Sequence, residues 1–118
     1  MKGAEASLQS ACVTWFNLEY PEYRGLLFHV PNGGSRNAKE AANLKRQGVV
    51  AGVADLLLLL PCGSFGCLCV ELKTPKGRQS QYQREWGSKA LKYGNLYVVC
   101  RSVDEFMNTI RTYMSCGK

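Results

Sequence analysis

The chain has 118 residues, of which 46% are hydrophobic, and a formal net charge of +6. This length and composition predict one domain over 1–118 with a core of its own, and argue against a disordered chain. A positive charge favours a polyanionic partner such as nucleic acid, although it is also compatible with a merely soluble surface. The longest apolar run, 49–60, is too short to span a membrane and contains Asp55.

Hydrophobic periodicity and capping signals predict eight elements in the order α-β-α-β-β-α-β-α. In chain order they are a helix over 4–18, a strand over 26–30, a helix over 36–47, strands over 53–60 and 67–73, a helix over 80–93, a strand over 95–101 and a helix from 102 onward. Ser35 is expected to cap the second helix, and Ser80 with Gln83 and Ser102 with Glu105 have capping-box spacing.

The lengths of the connections predict how the strands pair. The six-residue link after Leu60 is too short for a parallel crossover, so strands 53–60 and 67–73 are expected to form an antiparallel hairpin. A helix separates strands 67–73 and 95–101, which can therefore be parallel. The predicted fold class is α/β, a small mixed β-sheet flanked by helices on both faces.

The cysteines and the N-terminal residues indicate the cellular compartment in which the chain is expected. Glu5 and Gln9 interrupt the N-terminal apolar residues, so no secretory signal is visible and a cytoplasmic chain with reduced thiols is expected. Cys62, Cys67 and Cys69 lie close together along the chain, but their spacing is not a usual zinc pattern. They are interpreted as buried structural thiols.

The predicted hairpin brings charged residues together in an apolar sheet. Folding it places Asp55 opposite about Leu72, within about 5 Å of Glu71 and Lys73. Two carboxylates this close repel each other, and a divalent cation such as Mg²⁺ would offset the repulsion, because it prefers oxygen ligands. The pattern therefore indicates a catalytic metal site. The alternative is a buried Asp–Lys–Glu network without catalysis.

Motifs along most of the chain resemble the VRR-NUC domain, a family of the PD-(D/E)xK nuclease superfamily. The matching motifs are F-H-V-P-N-G-G at 28–34, L-K-R-Q-G-V at 44–49, G-V-A-D at 52–55, V-E-L-K at 70–73, T-P-K-G-R-Q-S-Q-Y-Q-R-E-W at 74–86 and Y-V-V-C-R-S-V-D-E-F at 97–106. Ala54 stands where the family usually has proline. The resemblance implies a restriction-endonuclease-like core and metal-dependent cleavage of DNA.

The resemblance also implies roles for particular residues. Asp55 and Glu71 would bind Mg²⁺, or Mn²⁺, with the carbonyl of Leu72 as a third oxygen. Lys73 would orient or deprotonate the attacking water. Gln83 would steady the water or a phosphate, although a purely capping role is the alternative.

A further acid and a set of cations complete the implied site. Glu5 resembles the additional metal-binding acid of the superfamily, although a glutamate at a helix start is also favoured by the helix dipole. Basic side chains would hold backbone phosphates, or be plain solvated surface. These are Arg36, Lys39, Lys45, Arg46, Lys76, Arg78, Arg84 and Lys89.

The resemblance favours branched DNA as the substrate. Stand-alone relatives resemble Holliday-junction resolvases, which implies a homodimer acting on four-way junctions in DNA repair. The region of Trp15, Phe16, Tyr20 and Tyr23 is apolar enough to form its interface, although core packing explains Trp15 and Phe16 equally well. The remaining alternatives are a restriction-like or RNA-directed nuclease and an inactive nuclease-fold module that only binds nucleic acid or protein.

Overall fold

The computed structural model describes residues 3–31 and 37–116. Four α-helices, one 3₁₀ turn and four strands are found among these residues. They are α1 Gly3–Glu19, the 3₁₀ turn Pro21–Tyr23, β1 Leu27–His29, α2 Ala38–Arg46, β2 Leu56–Leu58, β3 Leu68–Leu72, α3 Gln81–Lys92, β4 Leu96–Cys100 and α4 Val103–Ser115. The predicted α/β class and the order of the elements are confirmed.

The sheet has the strand order β1-β2-β3-β4. β2 and β3 are antiparallel, and β3 and β4 are parallel across the α3 crossover, as predicted. β1 pairs with the other edge of β2, also in antiparallel fashion. The register pairs Leu56 with Val70. Continued by one residue, it sets Asp55 opposite Glu71 rather than Leu72, and therefore on the same face of the sheet as Glu71.

β2 is shorter at both ends than the predicted strand 53–60, and at its start the ladder to β3 stops at Leu56. The next main-chain donor on that side of β3 is the N–H of Leu72. It donates to Oδ2 of Asp55, at 2.7 Å, instead of to a main-chain carbonyl. A side chain therefore ends the pairing at the point where the two acidic residues meet.

One face of the sheet packs on α1 and α4. Phe16, Leu68, Phe106 and Ile110 belong to this core and are fully buried. The ring of Trp15 meets those of Phe106 and Tyr20 edge-on, at centroid distances of 6.1 and 6.0 Å. For Trp15 and Phe16, these contacts favour core packing over a dimer interface.

α3 covers the opposite face. The ring of Trp86 lies 6.0 Å from that of Tyr97 on β4, and Gly87 gives the helix room to approach, since a Cβ there would lie 2.5 Å from the Tyr97 ring. The helix begins at the predicted capping box, in which Ser80 Oγ accepts from the N–H of Gln83 and Gln83 Oε1 accepts from the N–H of Ser80.

The other two predicted caps differ in detail. Ser102 caps α4 as expected, but Glu105 accepts from the N–H of Arg101 rather than from that of Ser102, so the box is only half formed. α2 is capped by Asn37, whose side chain accepts from the N–H of Glu40. The predicted cap Ser35 lies outside the described residues.

The expectation of reduced thiols is wrong for one pair. Cys62, in the loop between β2 and β3, is bonded to Cys116 after α4, with their Cα atoms 5.8 Å apart. The fold brings these positions together across a sequence separation of 54 residues. Cys12, Cys67, Cys69 and Cys100 are free thiols. Within 3–31 and 37–116, every helix is too short or too polar to cross a membrane.

Candidate active site

Glu71 is the centre of the candidate site. It is the fourth residue of β3, faces α3, and is 1% exposed. Its Oε2 accepts a hydrogen bond from Nε2 of Gln83 at 2.7 Å and lies 3.6 Å from Nζ of Lys73. Its Oε1 is buried and has no hydrogen-bond partner. A buried acceptor without a partner is costly, so this oxygen is a candidate ligand for a cation.

Asp55 approaches from the neighbouring strand. It is half-buried and lies just before β2, where its Oδ2 accepts from the N–H of Leu72. N–H and C=O groups alternate sides along a strand, and Lys73 N–H points to β4, where it donates to the carbonyl of Cys100 at 3.0 Å. The carbonyl of Leu72 therefore lies on the Asp55 side. The predicted convergence of Asp55, Glu71, Leu72 and Lys73 is present.

Gln83 makes the predicted cap and also contacts Glu71, while its predicted role toward the water or a phosphate stays a prediction. Its Oε1 closes the capping box with Ser80, and its Nε2 donates to Glu71. The amide orientation is fixed by both partners, because a carboxylate only accepts and a main-chain N–H only donates. The first turn of α3 is thereby tied to the buried acid of β3.

Burial has the largest effect on the pKa of Glu71. Burial, and then the negative charge of Asp55, raise the pKa of Glu71 from 4.5 to about 7, while Lys73 acts in the opposite direction. Lys73 is 9% exposed, so its ammonium offsets only part of the cost of burying two acids. Glu5 on α1 is half-buried and contributes the weakest of the effects that raise the pKa of Glu71.

These residues fit a hard divalent cation. Within the described parts of the chain, no three His, Cys, Asp or Glu side chains converge closely enough to hold a metal by themselves. Two carboxylates, a main-chain carbonyl and water form a common oxygen ligand set for Mg²⁺. The unpartnered Oε1 of Glu71 and the repulsion between the two acids are both relieved by such an ion. Glu5 remains a predicted ligand.

The predicted cations lie on the outside of the molecule. Arg36 lies outside the described residues. The other seven are exposed: Lys39, Lys45, Arg46, Lys76, Arg78, Arg84 and Lys89. Arg46 donates to Oδ1 of Asn43, and Arg84 donates to the carbonyl of Gln79 at 2.7 Å, so these two also support local structure.

Two residues near the site were missed in the sequence. Nδ1 of His29 lies 2.8 Å from the carbonyl oxygen of Asp55. Arg101 Nη1 donates to the carbonyls of Thr74 and Gly77, at 2.8 and 2.6 Å, and so secures the loop that follows Lys73. His29 is the one histidine of the chain, which is only a weak indication of a functional role. No neighbouring motif in the sequence indicated a role for Arg101.

Gly52 lets the segment before Asp55 approach α3. It has φ +87°, and a Cβ there would lie 2.3 Å from the carbonyl oxygen of Tyr82 and 2.9 Å from the nitrogen of Gln83. Gly48 has a similar φ of +103° but open space around it. It therefore provides a control that carries the backbone strain without the clash.

We expect Gly52→Ala to reduce the free energy of unfolding by about 2 kcal/mol more than Gly48→Ala, because only the former pushes against helix backbone. Urea denaturation of both variants measures the difference. Equal losses of unfolding free energy in the two variants would show that the segment before Asp55 can move away from α3 without cost.

The comparisons with known proteins agree with this fold. A model of the VRR-NUC domain family matches residues 3–104. The chain is similar to a solved structure named "VRR_NUC domain protein", with 26% identity, a TM-score of 0.82, and coverage of 100% of this chain and 94% of that one. No curated protein matches the chain. The family model spans the sequence from the first turn of α1 to the start of α4, and the chain therefore belongs to the VRR-NUC domain family.

Proposed function

We propose that the chain is a metal-dependent endonuclease that hydrolyses phosphodiester bonds in DNA. The observation that carries the proposal is the environment of Glu71. This acid is buried with one unpartnered oxygen, beside a second acid and a buried lysine. A purely structural network would be expected to satisfy that oxygen. Membership in a nuclease-fold family supports the same conclusion.

Each residue has a defined task in this proposal. Asp55, Glu71 and the carbonyl of Leu72 would hold Mg²⁺, or Mn²⁺ in its place. When bound, such an ion neutralises phosphate charge and lowers the pKa of a coordinated water. Lys73 orients or deprotonates the water that adds to phosphorus, while the bond to the leaving oxygen breaks. Gln83 keeps Glu71 in place through its 2.7 Å hydrogen bond.

The exposed cations suit a DNA backbone. Lys45, Lys76 and Arg78 are exposed, whereas the acids of the site are buried or half-buried. Contacts of this kind give affinity without reading the sequence, and they weaken as salt rises. We further propose that the preferred substrate is branched DNA such as a four-way junction, cut by a homodimer whose two sites match the symmetry of the junction.

The proposal is tested with labelled four-way junction, flap, duplex and single-stranded DNA, each in Mg²⁺, Mn²⁺ or EDTA. We expect paired symmetric cuts in the junction that require the metal and disappear in Lys73→Ala. Cuts confined to flaps or single strands would support nuclease activity but would reject the four-way junction as the preferred substrate. Metal-independent binding without cleavage of any substrate would reject the enzyme and leave a module that only binds nucleic acid.

A further inference from the structure

The main chain of Asp55 is held by an unusual pair of donors. Asp55 lies in a bend outside β2, so the ladder to β3 does not fix it. Its carbonyl oxygen accepts from the N–H of Val30 at 3.0 Å and is contacted by Nδ1 of His29 at 2.8 Å. Its carboxylate meanwhile accepts from the N–H of Leu72. The residue is thus bound to β1 through its backbone and to β3 through its side chain.

The contact assigns the tautomer of the imidazole. A carbonyl oxygen only accepts, so Nδ1 of His29 must carry the hydrogen. Nδ1 carries that hydrogen in both the neutral and the protonated ring, so the bond survives either charge state. The ring is exposed, and Nε2 takes no part in holding Asp55.

We infer that His29 is a positioning residue for the metal site, acting through Nδ1 on the carbonyl of Asp55. The inference rests on the proposed function, since it treats Asp55 as a ligand. With His29 and Val30 both donating, the main chain of Asp55 cannot rotate without breaking two hydrogen bonds. The direction of its carboxylate toward β3 is thereby set before any ion binds. Partners that orient a ligand in this way change metal affinity or activity about 10- to 100-fold when removed.

Three substitutions of His29 distinguish the role of Nδ1 from that of Nε2. In His29→Asn the side-chain amide nitrogen replaces Nδ1 and can still donate to Asp55. In His29→Gln the amide nitrogen replaces Nε2, and in His29→Ala both donors are lost. We expect Mn²⁺ affinity, measured by calorimetry or electron paramagnetic resonance, to fall about tenfold or more in His29→Ala and His29→Gln. It should stay within about threefold of wild type in His29→Asn.

A second readout needs neither metal nor cleavage. Because Leu72 N–H donates to the Asp55 carboxylate, loosening Asp55 should speed amide hydrogen exchange at Leu72. The N–H of Lys73 donates to Cys100 on the other side of β3 and serves as the internal control. We expect faster exchange at Leu72 but not at Lys73 in His29→Ala and His29→Gln, and wild-type exchange at both in His29→Asn.

The outcomes are distinguishable. A wild-type protein that binds no Mn²⁺ would reject the metal site of the proposed function, and the exchange at Leu72 would still decide whether His29 positions Asp55. If His29→Asn behaves like His29→Ala in both readouts, the inference is overturned. Rescue by His29→Gln instead would also overturn it and assign the role to Nε2.

Discussion

Asp55→Asn, Glu71→Gln and Lys73→Ala are each expected to reduce DNA cleavage in Mg²⁺ by about 10³-fold or more. Each removes one charge from the cluster that we propose acts on the scissile phosphate, and losses of this size are typical when one such group is removed. Single-turnover rates on the best substrate of the panel would measure the effect. Binding to the same DNA in EDTA should change little, because the exposed cations are intact.

Asp104→Asn is the matched control, since Asp104 is the one other aspartate of the chain and is exposed in the first turn of α4. It should retain full cleavage activity. The Asp55→Asn/Glu71→Gln double variant should be no slower than the worse single variant, because residues that act as a unit are not additive. Full activity in Lys73→Ala would contradict the role given to that lysine.

Glu71→Gln is also expected to stabilise the metal-free protein at pH 8 by about 3 kcal/mol. The pKa of Glu71 is raised in the folded chain from 4.5 to about 7, and each pKa unit corresponds to about 1.4 kcal/mol. A raised carboxyl pKa means that the folded state holds a proton which the unfolded state has lost. The stability of the wild type therefore falls as pH rises from about 4.5 to about 7. Glutamine stays neutral throughout and avoids this loss.

Urea denaturation in EDTA at several pH values between 4.5 and 8.5 tests the effect. The two proteins should be about equally stable at the lowest pH and diverge toward pH 7. Glu22→Gln, at an exposed acid, should show no such divergence. Adding Mg²⁺ at pH 8 should stabilise wild type and leave Glu71→Gln nearly unchanged. A difference between wild type and Glu71→Gln that does not vary with pH would contradict the burial of a charged Glu71.

The features that the sequence predicted well have local causes. Ser80 and Gln83 are three residues apart, so their capping box and the start of α3 could be read directly. The short link between β2 and β3 forces a hairpin, and the hairpin alone brings Asp55 beside Glu71. Most of the candidate site was therefore visible once the strand pairing was assumed.

What escaped prediction depends on contacts between distant residues. The apolar run 53–60 indicated a long strand, but the Asp55 carboxylate takes the N–H of Leu72 and ends the ladder. The contact of His29 with Asp55 and the bond of Cys62 to Cys116 join positions that only the folded topology brings together. No periodicity or capping rule encodes such pairs.

The side-chain amide of Gln83 makes hydrogen bonds through both its oxygen and its nitrogen, and this couples the stability of α3 to the position of Glu71. Fraying of the first turn of α3 breaks the bond to Ser80 and releases Glu71 at the same moment, since one side chain makes both contacts. Helix ends open far more often than whole domains unfold. The hydrogen bond that holds Glu71 is thus only as persistent as one helical turn, and heating should release Glu71 at temperatures where the β-sheet is still intact.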